Sequence, residues 1–568
     1  MRLSVLLSFL SIAAAPSYGQ AVLYEVDGDN ADDSFGFSMA CAGDVNADGI
    51  RDLIVGAPFD SSLGAWRGSC RVLSGLDGTQ LLEIDGPAGG EQFGYDVDGV
   101  GDMNGDGLDD VVIASFDLET PGFQGGARVH SGADGALLMV LPAMTSLTHV
   151  NSVAAAGDVD ADGVPDILLG NWSDDSNAQN SGRVRVVSGL NGTPIRQWLG
   201  SAAGDALGSD VEGMGDLDGD GHADVAIAAS GQGRVWVYSG GTGALLFSRV
   251  GGTSFGASLA CIGDANGDGV QDLAVGAPWA DTINGENSGE VTLLSGVDGA
   301  VLLTIPGEDV WWGLGHSVSE VGDVDGDGVA DVLAGAPREV GLSSTSGRAL
   351  VYSGVDGRVL FRSESDTTNE YYGGQVAFLD DVDQNGTLEF AVSAQYDHDA
   401  APWAGSVRVT SAEEVMTPYC FGDGSGVICP CANFGAAGEG CANSAGSGAR
   451  LEGSGVPRIS ADTVAMTLTA GPANVSGLLF LGSQTAAAGS GLPMGGGLLC
   501  VAGQTARSTV LSLDAQGGAT LTDFQGMAFH QSSFGAGQHT NYQFWYRDPQ
   551  GACGAFNFSN GLAVLWTP

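Results

Sequence analysis

One nine-residue pattern recurs seven times along this 568-residue chain and limits its fold more than any other feature. It reads DVNADGIRD from Asp44, DMNGDGLDD from Asp102, DVDADGVPD from Asp158 and DLDGDGHAD from Asp216. It continues as DANGDGVQD from Asp264, DVDGDGVAD from Asp323 and DVDQNGTLE from Asp381. Successive copies lie 58, 56, 58, 48, 59 and 58 residues apart. Such a period marks stacked units that bury their apolar faces against each other, not a string of independent domains.

Each copy is framed by the same signals. Before it stands Phe35-Gly36, Phe93-Gly94, Leu207-Gly208, Phe255-Gly256, Leu314-Gly315 or Tyr372-Gly373, while the third copy has Asn151-Ser152 instead. After it comes a short apolar run ending in Gly-Ala-Pro, as in Val55-Gly56-Ala57-Pro58 and Val275-Gly276-Ala277-Pro278. A third apolar run follows, then a turn such as Asp77-Gly78 or Asp298-Gly299, then a fourth run. The 94 glycines supply the turns, and a 43% hydrophobic content supplies a large core. Four short antiparallel strands repeated seven times predict an all-β, seven-bladed β-propeller. The seventh unit has no fourth run after Val407-Arg408-Val409, and Val22-Leu23-Tyr24-Glu25-Val26 has the pattern to complete that blade and close the ring.

These motifs resemble the FG-GAP repeats that build the integrin α-subunit propeller. The resemblance covers roughly residues 21 to 412 and implies a calcium loop between the first two strands of each blade. The residues themselves support the same chemistry. Oxygen donors at positions 1, 3 and 5, a glycine turn at 6, a backbone carbonyl at 7 and a carboxylate at 9 suit a hard cation with oxygen ligands. The candidate ligands are Asp44, Asn46, Asp48, Ile50 and Asp52; Asp102, Asn104, Asp106, Leu108 and Asp110; and Asp158, Asp160, Asp162, Val164 and Asp166. The later loops add Asp216, Asp218, Asp220, His222 and Asp224; Asp264, Asn266, Asp268, Val270 and Asp272; and Asp323, Asp325, Asp327, Val329 and Asp331. The seventh offers Asp381, Asp383, Asn385, Thr387 and Glu389. Up to seven structural Ca²⁺ are expected. An EF-hand is excluded, because its position-12 glutamate is replaced by an apolar residue in every copy, from Val55 to Val392.

Positions 1, 3, 5 and 9 of these loops hold 24 of the 69 acids, and with only 19 basic residues the net charge is -50. A nucleic-acid partner is excluded on charge. All 19 basic residues are arginines, so chemistry that needs lysine is excluded too. Residues 1–19 read as a secretory signal, with an apolar run from Leu3 to Ala15 and small residues at Ser17 and Gly19. No later run is long enough to span a membrane. The expected organisation is a signal at 1–19, the propeller at 20–412 and a C-terminal β domain at 413–568, in a secreted or cell-surface monomer.

That last part changes composition and holds Cys420, Cys429, Cys431, Cys441, Cys500 and Cys553. It resembles a C-terminal domain appended to many secreted or surface proteins of environmental bacteria, and its alternating stretches suggest a small β-sandwich. Its cysteines read as disulfides, with Cys500 to Cys553 and with Cys429 and Cys431 joined to Cys420 and Cys441 in either order; zinc is the competing reading for the last four. Cys41, Cys70 and Cys261 read as buried free thiols.

The seven histidines are isolated and no nucleophile has a recognisable partner, so an enzyme is not expected. The leading function is an adhesion or recognition module for an extracellular protein or glycan. A lyase-like polysaccharide enzyme and a structural envelope protein are the alternatives. In an up-and-down blade the acidic loops and Asp-Gly turns share one face. The opposite face receives longer loops bearing Phe59, Trp66, Phe116, Phe123, Trp172, Tyr371, Tyr372 and Trp403, with Trp279, Trp311 and Trp312 the best ligand contacts.

Overall fold

The computed structural model is all-β. It describes residues 20–87, 89–116, 126–142, 149–337, 347–365, 370–384, 387–398, 400–414, 416–419, 429, 440–454, 465–485, 492–494, 497–507, 511–521, 538–548 and 556–566. The proposed signal, Asn385 and Phe123 lie outside these residues. Two compact units are present, one of them Val22–Ala412 and the other containing Glu413–Pro568. Among the described residues no helix is long and apolar enough to cross a membrane.

The larger unit contains seven four-stranded sheets among its described residues. In six, the strands follow chain order, as in Ser38–Gly43, Asp52–Ala57, Ser69–Leu73 and Gln80–Asp85. The seventh runs Tyr372–Asp380, Glu389–Ala394, Ser406–Glu414 and then Gln20–Asp27, so the N-terminal strand completes the last blade as expected. First strands of successive sheets touch in cyclic order, and Tyr372–Asp380 returns to Ser38–Gly43. This is a closed β-propeller. The second strands are buried along their whole length, which explains why they read as unbroken apolar runs instead of alternating ones.

The glycines of the repeat mark where blades touch. A methyl group on Gly56 would stand 2.2 Å from the Gly94 carbonyl oxygen of the next blade, and one on Gly276 would stand 2.1 Å from that of Gly315. The same two carbonyls accept hydrogen bonds from the hydroxyls of Ser38 and Ser258, each at 2.9 Å. In the third blade, which lacks Phe-Gly, the Asn151 amide reaches Gly208 O at 3.5 Å. Arginines cover aromatics at or near the Phe-Gly positions: the guanidinium carbons of Arg71 and Arg128 lie 4.8 and 5.8 Å from the Phe35 and Phe93 rings of Phe-Gly, and that of Arg348 lies 4.4 Å from Trp312, two residues before Leu314-Gly315. At the closure, the Tyr24 hydroxyl lies 3.1 Å from Ser74 O and 2.9 Å from Gly75 O, fastening the N-terminal strand to the first blade.

The C-terminal unit has two layers. Met416–Tyr419, Phe556–Trp566, Gln538–Arg547, Ser476–Thr485 and Val501–Arg507 form one sheet, while Arg450–Ser454, Ala465–Thr469 and Ala519–Leu521 form another. Leu451, Met466 and Leu468 of the second pack with Leu479, Tyr542 and Phe544 of the first. Cys429 is bonded to Cys441, which removes both from a zinc set. Cys500 is also disulfide-bonded. Cys420, Cys431 and Cys553 lie outside the described residues.

Gly276→Ala should lower the folding free energy by roughly 1–3 kcal/mol through forced overpacking between blades, whereas Gly252→Ala, which meets nothing within 4 Å, should leave it near wild type. Tyr24→Phe should cost about 1 kcal/mol by removing the closure hydrogen bonds. Denaturant melts of the three variants test both statements.

Candidate metal loops and ligand face

Each acidic loop is built by its own carboxylates. In the second loop Asp102 accepts the backbone N–H groups of Gly105, Asp106 and Gly107, and these bonds hold its carboxyl below the usual range. Position 5 accepts from position 7, as Asp106 does from Leu108 and Asp220 from His222. The position-6 glycines need only their backbone freedom: Gly107 has φ +90° and a side chain there would meet open space.

Position 9 is different, because it starts the second strand and is buried. Asp52, Asp110, Asp166, Asp224, Asp272, Asp331 and Glu389 are all fully enclosed. Asp224 accepts the N–H of Leu217 in its own loop at 2.8 Å and that of Gly240 in the turn after the third strand at 3.0 Å. Asp52 does the same with Val45 and Gly75. The acidic loop and the Ser-Gly turn are thereby one bonded assembly at one end of the blade. Burial pushes Asp52, Asp166 and Asp331 up to about 6 and Glu389 up to about 7, against the backbone bonds that pull the other way, with nearby carboxylates adding to the rise.

Carboxylate oxygens of positions 1, 3 and 9 lie within 4.8 Å of one another in four loops: Asp158, Asp160 and Asp166; Asp216, Asp218 and Asp224; Asp323, Asp325 and Asp331; Asp381, Asp383 and Glu389. The loops with asparagine at position 3 are arranged alike. Asn46, Asn104 and Asn266 donate to Asp52, Asp110 and Asp272 at 3.5, 3.3 and 3.4 Å. Rotating those amides by 180° turns an oxygen toward the same point. An oxygen-only donor set with three negative charges fits a hard divalent cation. In the sixth loop Arg358 pairs with Asp325 and supplies part of the missing charge. His222 contributes its ring elsewhere, with Nδ1 2.8 Å from Val159 O of the neighbouring loop.

The ring encloses a funnel of about 860 Å³. Asp96, Asp98, Asp210, Glu212 and Glu320 line it, and Arg51 is the one arginine among its described lining residues. Asp96 accepts from Val153 N at 2.7 Å and Asp98 from Ala155 N at 2.8 Å. Asp210 accepts from Leu259 N at 2.7 Å and Glu212 from Cys261 N at 3.3 Å. Acids of blades two and four therefore satisfy open strand edges of blades three and five. Burial pushes Asp98 and Asp210 up to about 6, and Asp96 and Glu212 upward as well. None of these five was singled out from sequence. The available signal was an acid pair in FGYDVDG and LGSDVEG where other repeats carry serine and alanine. Cys41 and Cys261 also line this wall and are half-buried, whereas Cys70 is fully buried.

The expected tryptophans separate. Trp279 is exposed and lines the funnel, with its backbone N–H donating to Ser254 Oγ at 2.9 Å. Trp311 is half-buried at φ +60°. Trp312, expected on the exposed rim, is only 7% accessible and lies under Arg348, which makes it core. Tyr372 is core as well, while Trp66 and Trp403 are exposed. Phe59, Phe37, Tyr95, Phe116 and His149 form a continuous ladder with centroid spacings of 5.7, 5.1, 4.7 and 4.2 Å.

Parts of the chain are similar to known repeats and proteins. The FG-GAP-like repeat model matches residues 216–275, and the FG-GAP repeat model matches residues 36–68 and 317–352. Those segments are FG-GAP repeats, and over part of its length the chain is similar to integrin alpha subunits. Integrin alpha-5 of Xenopus laevis is 31% identical over 228 residues, which is 37% of this chain and 21% of that protein. Integrin alpha-8 of Mus musculus is 28% identical over 227 residues, or 36% and 21% of the two chains. Integrin alpha-E of Mus musculus is 39% identical over 93 residues, or 15% and 8%. The FG-GAP chain thus matches about a fifth of the length of the first two relatives.

Asp224→Ala should destabilise the propeller by at least about 2 kcal/mol, because two backbone N–H groups lose their acceptor in a buried place; calorimetry in chelator reads this directly. The funnel acids predict a pH effect. Their folded values lie above the unfolded ones, so their contribution is fully present below about pH 4 and is lost as pH rises through about 6. The Asp98→Asn, Asp210→Asn double variant should therefore gain stability relative to wild type at pH 7 and lose that advantage at pH 4.

Proposed function

We propose that this FG-GAP propeller is a secreted or cell-surface recognition module, stiffened by up to seven bound Ca²⁺, that presents the face opposite its acidic loops to an extracellular protein or glycan. The observation that carries this reading is the division of labour between the two ends of the blades. One end repeats an oxygen-only triad beside the first strand pair, bonded through position 9 to the neighbouring turn. The other end carries the funnel mouth and exposed aromatics on loops. The residues that would hold calcium are the position 1, 3, 5 and 9 side chains with the position 7 carbonyl, and the ion would supply the positive charge the loops lack. Nothing in such a loop is arranged as a nucleophile or base toward a substrate, so the metal's role is to fix strands. The integrin relatives support the adhesion class and leave the ligand open.

Calcium at 100 times its Kd should add about 2.7 kcal/mol per independent site, so excess EDTA should lower the melting temperature strongly. Asp218→Ala, at an exposed position 3, should shrink the calcium-dependent increment while leaving the melting temperature in EDTA near wild type. A melting temperature indifferent to EDTA would remove calcium from the account.

A further inference from the structure

The funnel wall has a chemistry that selects its ligand. Each of its five carboxylates offers two oxygens and about four lone-pair sites; on Asp96, Asp98, Asp210 and Glu212 backbone N–H groups use one or two of them, and the Ser152 hydroxyl uses one more on Asp210. The wall hydroxyls of Ser38 and Ser258 already donate to Gly94 and Gly315, so what they have left is acceptor capacity. One arginine stands against this, and it is 4.0 Å from Glu320. The wall therefore accepts far more hydrogen bonds than it donates and repels anions.

The shape adds a second constraint. Blade four joins its second and third strands through the short turn at Gly231-Gln232-Gly233, and Ser230 and Gly231 form that side of the funnel wall. The side chain of Gln232 is tied down on Asp205, which keeps the turn low. Trp172 of blade three and Trp279 of blade five stand on either side of this gap and also line the funnel. Phe37 of blade one and Tyr95 of blade two belong both to the funnel wall and to the aromatic ladder that ends at Phe59 and at His149, beside blade three. Flat apolar rings on the wall of an acceptor-lined cavity of about 860 Å³ match a ligand with apolar faces and a rim of donors.

We propose that the funnel is a binding site for a saccharide without negative charge, neutral or amine-bearing, that enters over the low wall of blade four between Trp172 and Trp279. This rests on the reading that the ligand face is the one opposite the acidic loops. A pyranose ring presents C–H faces to the tryptophans and hydroxyl donors to the carboxylates. An extended peptide fits less well, because its backbone carries as many carbonyl acceptors as N–H donors and half of them would meet acceptors. The low wall admits the interior of a polymer as well as its end.

The test uses the full chain in excess calcium and titration calorimetry with four probe sets: neutral gluco- and manno-oligosaccharides, glucosamine oligosaccharides, uronate or sulfated oligosaccharides, and lysine-rich peptides. Binding is expected within the first two sets, and which of them binds distinguishes a polyol from an ammonium ligand. Trp279→Ala should weaken that binding by at least roughly tenfold without changing the melting temperature. Trp403→Ala, exposed on the same face but absent from the funnel wall, should leave it unchanged. Binding confined to anionic saccharides or to peptides, or an equal loss from both tryptophan variants, overturns the saccharide funnel. If a peptide binds and Trp279→Ala and EDTA both abolish it, the recognition reading survives while the ligand class fails. Binding that persists in EDTA and in both variants removes the two together.

Discussion

The approach of one blade's Gly-Ala-Pro glycine to the next blade's Phe-Gly carbonyl governs the rest of the propeller. At Gly56 and Gly94 the two backbones are so close that no side chain fits between them. The contact explains why both motifs contain glycine and why they recur in order: each unit carries one half for its predecessor and one for its successor. Serine at the start of the inner strand then satisfies the carbonyl that this approach would otherwise strand. With the inner edges fixed this closely, larger side chains are displaced outward, where arginines lie over the Phe-Gly rings and the fourth strands meet solvent.

From that packing follows the placement of the chemistry. Tight inner contacts leave the blade ends free, and the position-9 aspartate turns one end into a rigid assembly by bonding an acidic loop to the turn beside it. The cost is a buried carboxylate close to two or three others. The same problem appears in the funnel, where Asp98 and Asp210 gain backbone partners in the next blade yet remain near other acids. In both places carboxylates stitch elements together, and four of the loops also gather three of them around one point. Position 9 combines the two tasks: it cross-links the blade end through backbone N–H groups and turns a carboxylate oxygen toward the same point as positions 1 and 3.

How much of this could be read in advance depended on whether the information was contiguous. The loops, the strand order and the N-terminal closing strand are written in short, repeated segments, and they appear where the repeat places them. The tryptophan pair shows the limit. Trp311 takes a left-handed backbone, so the two adjacent rings leave the chain in different directions and Trp312 turns under Arg348. Periodicity carries no information about that reversal. Phe37 and Tyr95 were missed for a related reason: each follows the glycine of Phe-Gly, and a ladder assembled from several blades has no local signature. The funnel acids were hidden because the seven acidic loops already accounted for so much of the negative charge.

The absence of lysine fits the same physical picture. A propeller with so many carboxylates needs positive charge in two environments. Inside the blades the cation must lie flat on an aromatic ring and still reach a carboxylate, as Arg128 does with Phe93 on one side and the buried Glu91 at 3.4 Å on the other. A planar guanidinium with several donors does both; an ammonium group is a point charge that keeps its water and does neither as well. At the loops the cation must instead accept five or six oxygens at once, which no side chain can do. Arginine meets the first geometry in the blades, a divalent ion at the loops would meet the second, and a flexible lysine suits neither.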